Sequence, residues 1–382
     1  MKITLKRTPE QVELVKAMAS RNRQVAYEAQ VALAEFIGPV LAEVLNQAPT
    51  VSNLFQSLQF NADDNPSIPL DLYYNISDED YVNVWSQSHA GGLPQNQVLP
   101  TASELKLATY SLDSAVSFDR RYAAKSRLDV VSKTFTRVAQ EILIKQETTS
   151  ATLLMTSVAN ATTNSKEHVQ TNRIAGKFTL ADMNDLLTLA KRINTSWIGG
   201  TPTTRTRGIT DLIVSPEVVQ DIRSMAYNAI NTEDADGSAP TANDGGLAAP
   251  DELRMQLYRN AGIPEFYGLG IMEINELGTS QKFNTLFDTA AGATEYNWPD
   301  GSSGGITFNG STDEIILGVD RTKDSLIRAV AVDADAPSEF NLIADDQYSI
   351  RQNKIGYFGS IEEGRVVLDN RVLVGKIIGA FD

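Results

Sequence analysis

The sequence predicts an α+β fold, and three observations support this prediction. Residues 101–175 contain neither glycine nor proline, although the whole chain has 25 glycines and 14 prolines. Within this run, the apolar spacing changes from the alternation of a strand at 104–118 to the steps of three and four typical of a helix at 124–142. A short apolar strand at 211–214 leads directly into Ser-Pro-Glu, a helix start. The last 70 residues have the pattern of several strands.

The first 65 residues form an N-terminal arm in this reading. Thr8, Pro9, Glu10 and Gln11 are typical of a helix start, with proline at the first helical position. We expect this helix to run to about residue 37 and to be broken by Gly38-Pro39, with a shorter helix at 40–46. Its amphipathic pattern is weak, so we expect the arm to be ordered only by partners.

Residues 66–118 are predicted to form a long hairpin with legs at 66–85 and 104–118 and a polar tip between them. An isolated two-stranded hairpin is marginal in water, so this one should rest on another chain or domain. Tyrosine and tryptophan are enriched at protein interfaces. We therefore expect assembly contacts at four aromatic residues of the first leg: Tyr73, Tyr74, Tyr81 and Trp85.

A spine helix is predicted at 120–149, about 45 Å long at 1.5 Å per residue. Its apolar face consists of Ala124 and five residues that follow it: Leu128, Val131, Phe135, Val138 and Ile142. Helices in globular proteins average about 11–12 residues, so this one needs a platform larger than a small domain.

The remaining elements are predicted from caps and breakers. Helices are expected at 179–192, capped by Thr179 with Asp182, at 216–229, and from Pro250 to Gly262. Residues 263–277 are strand-like and 278–312 rich in loops. Four strands are expected at 314–319, 325–332, 348–358 and 371–378, with a turn at 362–364.

The charge is uneven. The net charge is −15, and residues 231–346 hold 21 acidic against 6 basic residues. A sequence pI of 4.7 argues against a surface that grips nucleic acid. The predicted spine helix is locally basic, with seven basic and three acidic residues. This is either a solvated face or a surface complementary to an acidic segment of a neighbouring subunit. There is no run of 18 apolar residues and no secretory signal, so we expect no membrane span and a protein made in a cytoplasm.

The sequence offers no catalytic, cofactor or metal site. It has no cysteine and only two histidines, His89 and His168, both in polar segments and predicted to lie at the surface. Residues 359–366 imitate a phosphate-binding loop but lack its lysine and are predicted to join two strands. We therefore predict a protein that is not an enzyme.

The order of these elements resembles the major capsid protein of tailed double-stranded DNA bacteriophages, whose fold also occurs in encapsulins and the herpesvirus capsid floor. The resemblance lies in residues 114–131 (SAVSFDRRYAAKSRLDVV) and 138–147 (VAQEILIKQE), which resemble the family's entry into its spine helix. Residues 212–219 (LIVSPEVV) resemble its strand–turn–helix. Residues 350–357 (IRQNKIGY) and 371–377 (RVLVGKI) resemble its closing strands.

The resemblance implies that 66–118 is the extended E-loop, 119–204 a peripheral domain with the spine helix, and 205–320 an axial domain. Residues 321–382 would supply closing strands to both domains. It also implies a structural subunit that self-assembles into pentamers and hexamers of an icosahedral shell around double-stranded DNA, without sequence-specific binding. A separate scaffolding protein, a portal and a decoration protein are expected partners.

Some members cross-link the E-loop through a lysine, but residues 61–105 here contain none and Lys106 lies at the hairpin base, so no cross-link is claimed. Two alternatives remain open. One is an encapsulin-like cellular compartment. The other is a glycan-binding or glycan-active protein that uses acidic and aromatic residues.

Overall fold

The structure of the protein is a computed structural model that describes residues 8–48, 50–61, 66–69, 104–163, 165–193, 208–225, 265–266, 268–299, 306–322, 324–332, 339–345 and 352–379. It is an α+β fold, as predicted. The helices are α1 (Pro9–Met18), α2 (Arg23–Gln47), α3 (Arg120–Ala124), α4 (Leu128–Ala159), α5 (Leu180–Ile193), α6 (Pro216–Met225) and α7 (Lys282–Ala291).

The strands are β1 (Gln56–Asn61), β2 (Ser67–Pro69), β3 (Glu104–Lys106), β4 (Tyr110–Asp119), β5 (Thr162–Thr163), β6 (Lys166–Glu167), β7 (Val169–Thr171), β8 (Asp211–Val214), β9 (Glu265–Phe266), β10 (Leu269–Glu273), β11 (Glu295–Tyr296), β12 (Ile306–Thr307), β13 (Glu314–Val319), β14 (Leu326–Val332), β15 (Asn341–Asp345), β16 (Lys354–Val367) and β17 (Leu373–Ile378). The chain divides into two compact units. Unit 1 comprises Met1–Ile68, Glu104–Ala151 and Leu326–Val366, and unit 2 comprises Pro69–Ser103, Thr152–Ser325 and Val367–Asp382.

Unit 1 is built on a five-stranded sheet in the order β1-β14-β16-β15, with β4 also paired to β16. Strands β1 and β14 run parallel, whereas β4 and β15 run antiparallel to β16. One apolar cluster combines side chains from α1, α2, α4 and the sheet. At its centre the ring of Phe135 meets the edge of Tyr357 at 5.3 Å between centroids. The helices therefore bury one side of their surface on this sheet.

The N-terminal arm differs from the prediction in two respects. The first helix begins as expected, with Thr8 accepting a hydrogen bond from the Gln11 amide, but ends at Met18. Helix α2 then runs straight through Gly38-Pro39 for 25 residues, so the predicted break there is wrong. An internal proline costs a helix about 3 kcal/mol. Burial of Leu33, Ile37 and Leu41, all at most 3% exposed, offsets that cost, and the arm is ordered within its own chain.

By length and composition, helix α2 is the one described helix that could cross a membrane. Of its most apolar window, 44% is buried in the protein. The core helix of a globular protein passes the same test, and much of α2 packs in the core of unit 1.

The predicted spine helix is divided. Helix α3 is capped by Asp119, which accepts from the Arg121 amide, and the chain then turns at Ser126 with a φ of 51°. Helix α4 follows and extends to Ala159, ten residues beyond the predicted end. Ala123 rather than Ala124 is buried, because the turn resets the helical phase that a single continuous helix would keep.

Unit 2 contains a six-stranded sheet in the order β7-β17-β13-β8-β10-β9. Helices α5 and α6 pack on it with another apolar cluster. The predicted caps are confirmed: Thr179 and Asp182 bond reciprocally, and Ser215 Oγ accepts from the Val218 amide at 3.2 Å. Helix α7 lies in a segment predicted to be loops, and its Phe283 and Phe287 are buried. Because this helix has only ten residues, its apolar spacing covers too few turns to be recognised among the surrounding glycines and threonines.

The predicted turn at 362–364 is wrong, because these residues lie inside the 14-residue strand β16. Glu-Glu-Gly has the composition of a turn, but Glu363 is fully buried and paired with arginines. Gly364 is required by a close approach, since a Cβ there would lie 2.6 Å from the Ala108 carbonyl oxygen. The predicted strand at 348–358 accordingly begins at Lys354 and ends nine residues later than expected.

Candidate assembly elements

The base of the predicted hairpin is a small ribbon. Strands β2 and β3 pair only with each other among the described residues, and the Leu107 amide donates to the Pro66 carbonyl at 2.9 Å. Residues 70–103, including Tyr73, Tyr74, Tyr81, Trp85 and His89, lie outside the described part of the chain. The 34 residues from 70 to 103 therefore connect the end of β2 to the start of β3, and these two strands pair with each other.

The second leg of the hairpin is anchored along the sheet of unit 1. Strand β4 pairs antiparallel with β16 over ten residues, from Tyr110 opposite Glu363 to Asp119 opposite Lys354. Its side chains alternate between more and less exposed, as the period-two spacing of 104–118 predicted, and Phe118 is buried. A force on the hairpin would thus be transmitted into a full-length strand pair.

A buried charge network fastens this leg to the surrounding elements. Glu363 of β16 is fully buried and accepts from Arg328 Nε at 2.9 Å and from Arg365 at 2.6 Å. It also accepts from Gln146 Nε2 of the spine helix and from Tyr110 Oη of β4, each at 3.0 Å. One carboxylate thus joins three strands and a helix.

The two arginines extend the network into the N-terminal arm. Arg365 donates to Ser52 Oγ at 2.8 Å, and Arg328 donates to Asn46 Oδ1 at 3.0 Å and lies 3.8 Å from Glu339. Burial raises the pKa of the Tyr110 phenol, an effect that the nearby Arg365 opposes. The carboxylate of Glu363 is therefore compensated by two arginines and hydrogen-bonded, as a buried charge must be, whereas Arg328 Nη2 and Arg365 Nε have no hydrogen-bond partner among the described residues.

Sequence reasoning missed this network. Its one visible signal is Arg328 in the middle of the apolar run Leu-Ile-Arg-Ala-Val of strand β14. An arginine in a strand that is buried on both faces requires a buried acid, but the sequence does not reveal which of the 48 acidic residues supplies it.

The structure places all five residues of the predicted spine face in the core of unit 1, each at most 7% exposed: Leu128, Val131, Phe135, Val138 and Ile142. The opposite side of α4 is in solvent. It carries Lys133, Arg137 and Lys145 together with Ile144, whose side chain is 57% exposed.

His168 is not a surface residue, contrary to the prediction. It is fully buried, with Nδ1 3.0 Å from the Leu373 carbonyl and Nε2 2.9 Å from Thr163 Oγ1. Burial lowers its pKa. Polar neighbours in sequence suggested exposure, but β7 pairs with the core strand β17 and buries the ring. Among the described residues, no group of three histidine or acidic side chains could hold a metal ion.

Glu314 is a second buried carboxylate, at the start of β13 in unit 2. It is 6% exposed, and its Oε1 makes no hydrogen bond with the described residues. Burial, followed by the nearby carboxylates of Glu217 and Asp221 in α6, raises the pKa of this carboxyl to about 7. Its environment thus favours the neutral form of the side chain.

No family model and no curated protein matches this chain. Among solved structures, it is similar to the capsid of a native GTA particle at 11% identity and a TM-score of 0.48, covering 87% of this chain and 90% of the other. It is similar to the capsid of the cyanophage P-SCSP1u at 12% identity and a TM-score of 0.43, covering 85% and 86%. The SrpI encapsulin of Synechococcus elongatus has 10% identity and a TM-score of 0.45, covering 88% and 90%. At these values the likenesses do not by themselves assign a function to this chain.

Proposed function

We propose that this chain is a structural major capsid protein, without enzymatic activity, that self-assembles into the pentamers and hexamers of an icosahedral phage shell. The observation that carries the proposal is the hairpin base. A two-stranded ribbon, with no further strand beside it among the described residues, leads from a ten-residue strand pair on a folded unit into residues 70–103. Such a ribbon is marginal alone and gains stability against another chain.

The buried charge network supports this proposal. A subunit whose projecting hairpin bears load needs that hairpin fixed to its own core, and Glu363 fixes β4 to β14, β16 and the spine helix. The element order on which the sequence resemblance rests also occurs here: arm, hairpin base, long helix, second helix, strand–Ser-Pro–helix and closing strands. In this reading, 66–118 is the E-loop, 119–204 the peripheral domain and 205–320 the axial domain.

The partners follow from the same reading. Copies of the chain contact one another through unlike surfaces, which close into rings. The acidic composition suits a wall that encloses DNA without gripping its phosphates. A separate scaffolding protein, a portal and a decoration protein complete the proposed shell, which assembles in the host cytoplasm and becomes the virion capsid.

Deletion of residues 71–102 tests the proposal. We expect the shortened chain to be soluble and folded but unable to form closed shells, because the intersubunit contact is lost while the core remains. Negative-stain electron microscopy shows whether closed shells form. The wild type and the variant are each produced alone and together with the proteins encoded by the genes that neighbour this one. Far-UV circular dichroism confirms folding. The matched control keeps the length of the wild type but has residues 71–102 replaced by glycine and serine. Normal shells from the deletion variant would contradict the proposal.

A further inference from the structure

Helix α2 has an apolar stripe on its solvent side. Val25, Phe36 and Val40 are 41%, 53% and 38% exposed, and Ala32 lies between them on the same side. These residues follow one another at steps of seven, four and four, which keeps them on one face of a helix. The opposite face of α2 is already buried in unit 1, so the helix presents apolar side chains in two directions.

The charged residues that α2 itself places near this outer stripe are negative. After Arg23, helix α2 contains no lysine or arginine, and its three acidic residues, Glu28, Glu35 and Glu43, are all exposed. None of the three forms a salt bridge with the described residues. Exposed apolar side chains beside carboxylates that have no salt bridge mark a surface suited to a partner with both apolar and positively charged side chains.

The same chain carries such a surface on the spine helix. On the exposed side of α4, Lys133, Arg137 and Lys145 flank the exposed Ile144, and none of these three cations has a salt bridge within the described structure. One exposed acid, Glu141, lies four residues from both Arg137 and Lys145, so this side carries three cations and one acid between residues 133 and 145. The spacing also matches. Glu35 and Glu43 are eight residues apart, as are Arg137 and Lys145, so each pair spans about 12 Å along its own helix axis.

We infer that the outer stripe of α2, defined by Val25, Ala32, Phe36 and Val40, docks on the exposed side of α4 in a second copy of the chain. Glu35 and Glu43 would face Arg137 and Lys145, and Phe36 would pack beside Ile144. Both surfaces face solvent among the described residues of a single copy, so a contact between them joins two copies. The contact joins unlike surfaces and therefore propagates around a ring. The inference rests on the proposed function and adds to it an interface remote from the hairpin.

A charge exchange tests the inference. The arm variant is Glu35→Lys with Glu43→Lys, the spine variant is Arg137→Glu with Lys145→Glu, and the exchanged variant combines all four. Like charges across an interface oppose association, so each of the first two should lower shell yield by about tenfold or more. The exchanged variant should recover most of the wild-type yield, measured by sedimentation and electron microscopy.

The control is Glu10→Lys with Glu13→Lys, which makes the same change in charge on the exposed side of α1 and should assemble normally. Wild-type shells together with normal assembly of the arm and spine variants would overturn this interface but leave the proposed function intact. Loss of shells without recovery in the exchanged variant would also overturn it, and would direct the stripe to a scaffolding partner or a membrane. If the wild type forms no shells under any condition, the proposed function fails, and the inference fails with it.

Discussion

The two units each bury a glutamate in a sheet, and the two side chains have opposite environments. Glu363 of unit 1 is fully buried and receives hydrogen bonds from two arginines, a glutamine and a tyrosine. Glu314 of unit 2 is 6% exposed, has an oxygen without a hydrogen-bond partner, and lies near two further carboxylates. The two side chains are almost equally buried. Glu363 is surrounded by hydrogen-bond donors and positive charges, whereas Glu314 has an oxygen without a partner and negatively charged neighbours.

This difference shows what a buried charge can contribute. A charge taken out of water loses several kcal/mol of solvation, which only good geometry and counter-charges offset. At Glu363 that compensation joins four elements, so the carboxylate sets how the hairpin strand, the spine helix and the arm fit together. Glu314 lacks this compensation, so the fold favours the protonated, neutral form of its side chain. Its contribution to folding therefore depends on pH.

The largest expected effect comes from removing the charge of Glu363. Glu363→Gln keeps the shape of the side chain but leaves the buried Arg328 and Arg365 without their main counter-charge. Breaking such a pair costs about 3–5 kcal/mol, so we expect the free energy of unfolding to fall by that amount. Urea denaturation of the unassembled subunit measures it.

Glu339→Gln is the matched control for this change. Glu339 lies farther from Arg328, at 3.8 Å, and is partly exposed, so its loss should cost much less. Equal effects of the two substitutions would show that Glu363 does not have the central place assigned to it.

Glu314 should give a smaller effect of the opposite sign. Its folded pKa of about 7 lies above the ordinary value of 4.5, so the folded chain binds the proton more tightly than the unfolded chain. The contribution of Glu314 to stability should therefore fall as the pH rises from about 4.5 to about 7, and then level off. Glu314→Gln should lose this dependence and gain at most about 3 kcal/mol at pH 8.

Chemical denaturation across pH 4.5–8 provides the measurement, with Glu273→Gln as a control at an exposed glutamate of strand β10 in the same sheet. The assignment would be wrong if Glu314→Gln kept the slope of the wild type, or if Glu273→Gln removed it.

Neither glutamate could be identified from the sequence, although the strands that hold them partly could. The apolar run Ile-Ile-Leu-Gly-Val predicted the bounds of β13, whose six residues are all buried, and the spacing of apolar residues predicted the phase of α4, because burial on one face of a helix leaves a periodic pattern. The caps at Thr8, Thr179 and Ser215 were also predictable, since each involves residues within one turn.

What failed depended on contacts distant in sequence. Glu-Glu-Gly at 362–364 looked like a turn until β14 and β4 supplied partners 35 and 253 residues away. Gly38-Pro39 looked like a helix break because the core that holds α2 together is formed by other elements. His168 looked exposed because the strand that covers it is 205 residues further along the chain.

The smallest expected effect comes from a carboxylate in water. Asp119 pairs with Arg121 at 2.8 Å, but the arginine side chain is 80% exposed. The pKa of Asp119 is lowered by its hydrogen bonds from Arg121, first from the side chain and then from the backbone. Arg121→Ala removes only the side-chain partner, since the amide of residue 121 still donates to the cap at 2.9 Å. We expect a melting temperature equal to that of the wild type, because water and salt already screen such pairs. A loss as large as that of Glu363→Gln would mean that partner geometry, rather than burial, decides what these carboxylates contribute.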